Sequence, residues 1–175
     1  MTAALTEKAK QVKLLITDVD GVLTDGGLHF DNQGQEYKRF SSLDGHGIRM
    51  LLDSDIEVAV ITGRQSGIVT HRMHELGVER VYQGYRNKIE AFDDIMEAIK
   101  LDPLHAAYVG DDLPDLPVMQ RVGFSIAVQN AHSFVKQHCD WVTTALGGHG
   151  AIREISDFIL HSQGLLDRRQ QAYLE

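Results

Sequence analysis

The sequence predicts a doubly wound α/β fold with a mostly parallel, Rossmann-like sheet, and three observations lead there. Short runs rich in Val and Ile alternate with segments of helical period. The runs are apolar nearly throughout, as strands buried on both faces must be, and that is the signature of a parallel sheet. Strand–helix alternation of this kind closes into one sheet through right-handed crossovers.

Taken in order, "VKLLITD" (12–18) reads as the first strand. "GGLHFDNQGQEYKRF" (26–40) then breaks the alternation. Leu28 and Phe30 precede "DNQG", while Tyr37, Lys38, Arg39 and Phe40 follow it, which is the pattern of a β-hairpin with a longer turn. Coming directly after the first strand, the hairpin should project from the sheet's carboxyl edge, and Leu28, Phe30, Tyr37 and Phe40 should expose apolar surface if left alone. "IEVAVIT" (56–62), a weaker strand near Val81, "HAAYVGD" (105–111), "GFSIAV" (123–128) and "DWVTT" (140–144) complete the strands. In "NKIEAFDDIMEAIK" the residues Ile89, Phe92, Met96 and Ile99 share one helix face, and in "GAIREISDFIL" Ile152, Ile155 and Ile159 do so. With no internal repeat and no Pro- or Ser-rich linker, residues 1–175 read as a single domain.

Acidic residues outnumber Lys and Arg 25 to 17, and the formal charge of -8 argues against a nucleic-acid or membrane-surface partner. An anionic substrate would need a local cationic site or a metal. Cys139 is the single cysteine, so neither an internal disulfide nor a Cys-based zinc cluster is available; it reads as a small buried filler. The start "MTAALTEKAKQ" lacks a long apolar region, and no stretch reaches the roughly 20 apolar residues of a membrane span, so a cytoplasmic location is expected.

The chemistry-bearing residues collect at strand ends. Asp18 and Asp20 are two apart, so they share a face at the carboxyl end of the first strand, where open α/β sheets bind ligands. Thr62 ends a second strand in "ITGR", Asp111 and Asp112 follow a third in "VGDDLPD", and Lys88 opens a helix. Each signal alone is weak, since strand-end aspartates often cap turns. Together they bring carboxylates, a hydroxyl and an ammonium to one rim. His71 and His74 have helical spacing but lack a third ligand and read as a solvated face, and "GGHG" lacks the Lys–Ser/Thr ending of a P-loop. Pro114 and Pro117 suit first helical turns.

This set resembles the haloacid dehalogenase superfamily of phosphatases and phosphotransferases: "DVDGVLTD", "ITGR", Lys88 and "GDDLPD" stand where its four motifs do. Only the hairpin and one helix lie in the first gap, and 62–88 is too short for a cap domain. With "DGHGIRML", "ITGRQSGIVTHRMHELG", "YQGYRNK", "VGDDLPDLPVM" and "GGHGAIREI", the chain resembles the capless 3-deoxy-D-manno-octulosonate 8-phosphate phosphatases of lipopolysaccharide synthesis nearly end to end.

The resemblance implies a Mg²⁺ held by the Asp18 and Asp111 carboxylates and the Asp20 carbonyl. It implies Asp18 as nucleophile, Asp20 as general acid and base, and Thr62 with backbone N–H groups on the phosphoryl oxygens. Lys88 would offset charge, and Asp112 would position Lys88 or metal-bound water. Ser41, Ser42, Leu43, Asp44, Gly45 and Arg49 would line the substrate pocket beside the hairpin, with Asp20 and Lys88 also touching substrate. Arg64 and Arg72 would meet the sugar acid, one of them at its carboxylate, where the guanidinium fork suits. The resemblance further implies a homotetramer in which hairpins pack together and the tail 164–175 reaches a neighbour's site. Two other readings remain open at this point: a phosphatase for another sugar acid phosphate, such as an N-acylneuraminate 9-phosphate, and a catalytically silent binding or regulatory subunit.

Overall fold

A computed structural model describes residues 2–174. After the helix α1 (Ala3–Lys10), the strand β1 (Leu14–Thr17) enters the middle of the sheet, with all four residues buried. The chain then forms the hairpin strands β2 (His29–Phe30) and β3 (Glu36–Tyr37), helix α2 (Ser42–Leu52), strand β4 (Glu57–Thr62), helix α3 (Gly67–Glu75) and strand β5 (Arg80–Gln83). Helix α4 (Lys88–Ile99) leads back to β6 (Ala106–Gly110), followed by a 3-10 turn at Leu113–Asp115 and helix α5 (Leu116–Met119). Strand β7 (Phe124–Ala127), helix α6 (Ser133–Gln137), strand β8 (Trp141–Val142) and helices α7 (Ala151–Ser162) and α8 (Leu166–Gln171) complete the chain.

Among the described residues the main sheet runs β5-β4-β1-β6-β7-β8, and every pairing in it is parallel. The chain builds outward from β1 to β5 on one side, then crosses to build β6 to β8 on the other. That reversal opens a crevice beyond the carboxyl end of β1, between β4 and β6. The six expected strands thus lie where the apolar runs place them, and the five given bounds are each shorter by one to three residues.

Helices cover both faces. Ala91, Phe92 and Ile95 of α4 and Ile152, Ile155 and Ile159 of α7 enter the core, while Ile89, Met96 and Ile99 pack at its margin. Helices α2 and α7 are joined by a buried polar contact. The Asp44 carboxylate accepts from the Gly150 N–H at 3.1 Å and the Arg153 N–H at 2.9 Å, capping the first turn of α7 from across the interface. Gly150, at the cap position itself, has no side chain to do this. Burial raises the Asp44 carboxyl above its ordinary range, although these hydrogen bonds oppose the rise. Asp44→Ala would orphan two buried donors and is expected to cost about 1–3 kcal/mol in urea denaturation. An unchanged midpoint would mean that water replaces the cap.

The hairpin is present but shorter than its sequence suggested, with two-residue strands pairing His29 with Tyr37 and Phe30 with Glu36. Asp31 Oδ1 shapes its turn by accepting from the Gln33 and Gln35 N–H groups. Leu28, Phe30 and Tyr37 are 49%, 54% and 55% exposed in the single chain. Phe40, expected among them, instead packs against its own core. The tail also has partners within its own chain. Arg169 Nε donates to Ser54 Oγ at 2.8 Å, and Tyr173 meets the His46 ring edge-on at 5.4 Å, so the tail lies along α2. Glu175 falls outside the described residues. Cys139 is half-buried rather than buried. No helix among the described residues is long and apolar enough to cross a membrane.

Candidate active site

The crevice beyond β1 is a cleft of about 410 Å³ lined by Asp18, Asp20, Thr62, Arg64, Lys88 and Asp111, all named from sequence. Arg86, Asp112 and Asp115 also line it. Backbone contacts hold these segments together. The Asp18 N–H donates to the Val109 carbonyl at 3.1 Å, aligning the ends of β1 and β6. The Tyr85 and Gly84 N–H groups donate to the carbonyls of Thr62 and Arg64, tying the loop that carries Arg86 and Lys88 to the end of β4. Gly21 follows the aspartates with φ of 99°, and a Cβ there would meet Asp111 Oδ2 at 2.1 Å. A left-handed turn and the closeness of Asp111 both require glycine at that point.

Lys88 is the centre of charge. It is nearly buried, 2.8 Å from Asp18 Oδ1 and 2.6 Å from Asp115 Oδ1. Burial alone would depress its ammonium; the two carboxylates outweigh burial and raise it above 10.5. Asp115 takes four hydrogen bonds. Its Oδ1 accepts from Lys88 and from the Tyr108 hydroxyl at 2.6 Å, and its Oδ2 from the N–H groups of Asp111 and Asp112. Burial and the adjacent Asp115 carboxylate push the Tyr108 hydroxyl well above 10, so Tyr108 remains a donor.

Asp18, Asp111 and Asp115 each offer an oxygen within 4.8 Å of the others. Such crowding is unfavourable without a counter-charge. Burial lifts the Asp18 carboxyl to about 6 against the opposing pull of Lys88. Burial, then the charges of Asp18 and Asp115, lifts Asp111 to about 8. A hard divalent cation fits this donor set. Since the oxygens of Asp115 are already engaged, Asp18 and Asp111 are the carboxylates free to hold it. The Asp20 carbonyl accepts no hydrogen bond among the described residues.

A thermal test follows from the sign of the Asp111 shift. A carboxyl raised from 3.8 to about 8 on folding binds protons better in the folded state, so stability falls as pH rises between those values. Asp111→Asn removes that penalty and a ligand together. In chelator at pH 8 the variant should melt higher than wild type. Added Mg²⁺ should raise the melting temperature of wild type and leave the variant unmoved. A full Mg²⁺ response in the variant would remove Asp111 from the metal site.

Three expectations about roles change with the geometry. Asp112 does not contact Lys88; it caps the following 3-10 turn by accepting from the Leu113 N–H at 2.8 Å. Asp115, four residues beyond Asp111, positions Lys88 instead. Ser41, Ser42, Leu43, Asp44, Gly45 and Arg49 do not line the cleft of their own chain. Ser41 caps α2, Arg49 pairs with Asp53 at 2.8 Å and donates to the Leu76 carbonyl, and Asp44 caps α7. Arg72 also lies away from the cleft, paired with Glu75 at 2.8 Å and so close to Gly45 that a Cβ there would meet Nη2 at 2.3 Å. Of these residues Gly45, Arg49 and Arg72 meet between α2 and α3, while Asp44 faces α7. The "GGHG" loop is structural, for its Gly148 N–H donates to the Val22 carbonyl at 2.8 Å.

Sequence reasoning missed Arg86 and the hairpin's Lys38 and Glu36. Lys38 pairs with Asp20 at the edge of the cleft and with Glu36, and Arg64 Nη2 bonds Glu36 at 2.7 Å. Burial would raise the Glu36 carboxyl, but hydrogen bonds from its neighbours, Arg64 and Lys38 among them, hold it at about 2. The nearest available signal was position: Lys38 and Glu36 flank Tyr37 on the arm of the hairpin that returns toward the sheet.

Residues 78–155 match the family model described as haloacid dehalogenase-like hydrolase. The chain is 49% identical over 167 residues to the 3-deoxy-D-manno-octulosonate 8-phosphate phosphatase of Escherichia coli strain K12, a match covering 95% of this chain and 89% of that protein. A crystal structure of the same-named phosphatase from Moraxella catarrhalis, in complex with magnesium ion, phosphate ion and KDO, superposes with a TM-score of 0.96 at 38% identity, covering 99% of each chain. The cobalt-bound form of the Haemophilus influenzae phosphatase gives 0.92 at 44% identity, covering 96% of this chain and 99% of that one.

Proposed function

We propose, because this chain belongs to the 3-deoxy-D-manno-octulosonate 8-phosphate phosphatases of the haloacid dehalogenase-like hydrolases, that it hydrolyses that sugar acid phosphate to the sugar acid and phosphate. The observation that carries this reading is Asp18 at the end of β1, 2.8 Å from the Lys88 ammonium, with Asp111 and Asp20 beside it in one cleft. Mg²⁺ is the cofactor, and when bound it offsets the charge of the phosphoryl oxygens and of the crowded carboxylates.

The residues divide the remaining tasks. Asp18 attacks phosphorus to form an aspartyl-phosphate. Asp20 gives a proton to the departing alkoxide and then takes one from the water that hydrolyses the intermediate. Lys88, held by Asp115, keeps the nucleophile oriented and faces the phosphoryl group with positive charge. Thr62 and the backbone beyond Asp18 hold phosphoryl oxygens, and Arg64 meets the sugar acid.

The protein acts in the cytoplasm, in lipopolysaccharide biosynthesis, as a homotetramer. Support for the tetramer comes from the exposed Leu28, Phe30 and Tyr37 on the hairpin and from the separation of Ser41–Gly45, Arg49 and Arg72 from the cleft. Packing between copies would cover the first and bring the second to a neighbour's substrate. Light scattering should give four chains per particle, and a fully active monomer would overturn this part.

The test of function is phosphate release, with Mg²⁺, from a panel that includes a nine-carbon sugar acid phosphate and neutral sugar phosphates. The eight-carbon acid phosphate should lead in kcat/KM by about tenfold or more. Equal turnover of the neutral sugars would remove the sugar acid from the assignment, and absence of all Mg²⁺-dependent turnover would favour a silent subunit.

A further inference from the structure

Lys38 is buried in a place where burial is hard to explain by packing. Its hairpin has two-residue strands and half-exposed apolar side chains, yet the lysine side chain is only 1% exposed. A flexible four-carbon stem could carry the ammonium to water, and a desolvated charge is retained only when well paired. The pairing is a closed ring. Lys38 Nζ bonds Asp20 Oδ1 and lies 3.2 Å from Glu36 Oε1; the same oxygen accepts from Arg64 Nη2 at 2.7 Å; Arg64 Nε returns to Asp20 Oδ2 at 3.6 Å. Arg64 Nε is buried and makes no hydrogen bond, so this last link of the ring is an ion pair alone. The Arg64 guanidinium also sits 5.9 Å from the Phe30 ring centre, pressing the hairpin to the cleft.

Lys38, Arg64 and Glu36 therefore meet around one functional carboxyl group, and two of the three come from the hairpin. The turn after β1 carries Asp20 to the cleft, and Lys38 holds its carboxylate. The geometry points to Lys38 as a positioning residue that holds the Asp20 carboxyl group on the leaving-group side of the cleft, so that the hairpin governs protonation of the departing oxygen. This deepens the reading in which Asp20 is the general acid and rests on it. In that step the ester P–O bond breaks as the Asp18 oxygen bonds phosphorus, and the Asp20 proton passes to the alkoxide oxygen, leaving Asp20 ionised. A group that must deliver a proton needs its geometry set beforehand, and loss of that setting slows the step without blocking binding.

The test separates leaving groups. An alkyl alkoxide needs the proton, whereas p-nitrophenolate departs with little help. Formation of the phosphoenzyme is followed by acid quench in single turnover, at saturating substrate and with Mg²⁺, for the sugar acid phosphate and for p-nitrophenyl phosphate. Lys38→Met should slow the alkyl reaction by roughly 10- to 100-fold, part of the range for full acid catalysis, and the aryl reaction by less than about threefold. Lys38→Arg should recover most of the alkyl rate. Glu36→Gln, which leaves Lys38 in place without its anchor, should give the same selectivity in weaker form, so the idea remains testable if Lys38→Met folds poorly. Equal losses on both substrates, or no loss on either, would overturn it. Asp20→Asn is the control for the underlying reading. Selective alkyl loss there with none in the Lys38 and Glu36 variants defeats only the role of Lys38. Absence of selectivity in Asp20→Asn defeats both.

Discussion

Asp18→Asn is expected to reduce turnover by roughly 10⁴-fold or more, on the scale of nucleophile removal in other covalent mechanisms. The substitution keeps the shape of the side chain and the hydrogen-bonding reach to Lys88 but removes the attacking anion and a metal ligand. Loss of fold can be set aside on electrostatic grounds. Burial lifts the Asp18 carboxyl to about 6, above its ordinary 3.8, so its ionised form destabilises the folded state once pH exceeds that range. Asn carries no such penalty, and the metal-free variant should melt at or above the wild-type temperature at pH 8. Incubation with substrate followed by acid quench should trap no phosphoenzyme. Near-normal turnover would sink the aspartyl-phosphate route.

Lys88→Met should be severe in activity and stability at once. It removes the common partner of two buried carboxylates, 2.8 Å from Asp18 and 2.6 Å from Asp115, and breaking a buried pair by deleting one member costs about 3–5 kcal/mol. In wild type the raised Lys88 pKa keeps the ammonium charged, so its contribution is fully present at every working pH and is lost only under strongly alkaline conditions. In the variant the deficit should be largest at pH 8 and shrink toward pH 5 as the unpaired Asp18 takes up a proton. Urea titrations at both pH values read this directly. Adding Asp115→Asn should recover part of the lost stability and none of the lost activity. A variant as stable as wild type at pH 8 would mean that water or ions reach the pair.

The sheet was legible because its signal is redundant. Every residue from Leu14 to Thr17 is buried, and so is every residue of β6 and β7. The cleft was legible where a residue type coincides with a strand end, as at Asp18, Thr62 and Asp111. It was not legible where a turn decides. Asp112 and Asp115 are the same residue type in "GDDLPD", and only the 3-10 turn aims the second at Lys88. Lys38 was hidden for a related reason: a hairpin's twist sets which way its side chains face, and alternation alone does not tell whether a lysine meets water or an aspartate. Arg86 sits in a loop with no period to read. Ser41–Gly45, Arg49 and Arg72 show the reverse case, in which residues named as one pocket lie apart in a single chain.

The placement of β1 between β4 and β6 also bears on how the protein is made. Leu14 pairs with Glu57 on one side and with Ala106 on the other, so the strand that ends in the nucleophile keeps one edge unpaired until more than half the chain has left the ribosome. Contacts this distant in sequence form slowly, and an open apolar strand edge is an aggregation hazard while it waits. Nascent chains halted before β6 should therefore be recognised by chaperones. Release of the remaining residues should bury the edge and assemble the cleft in a single step.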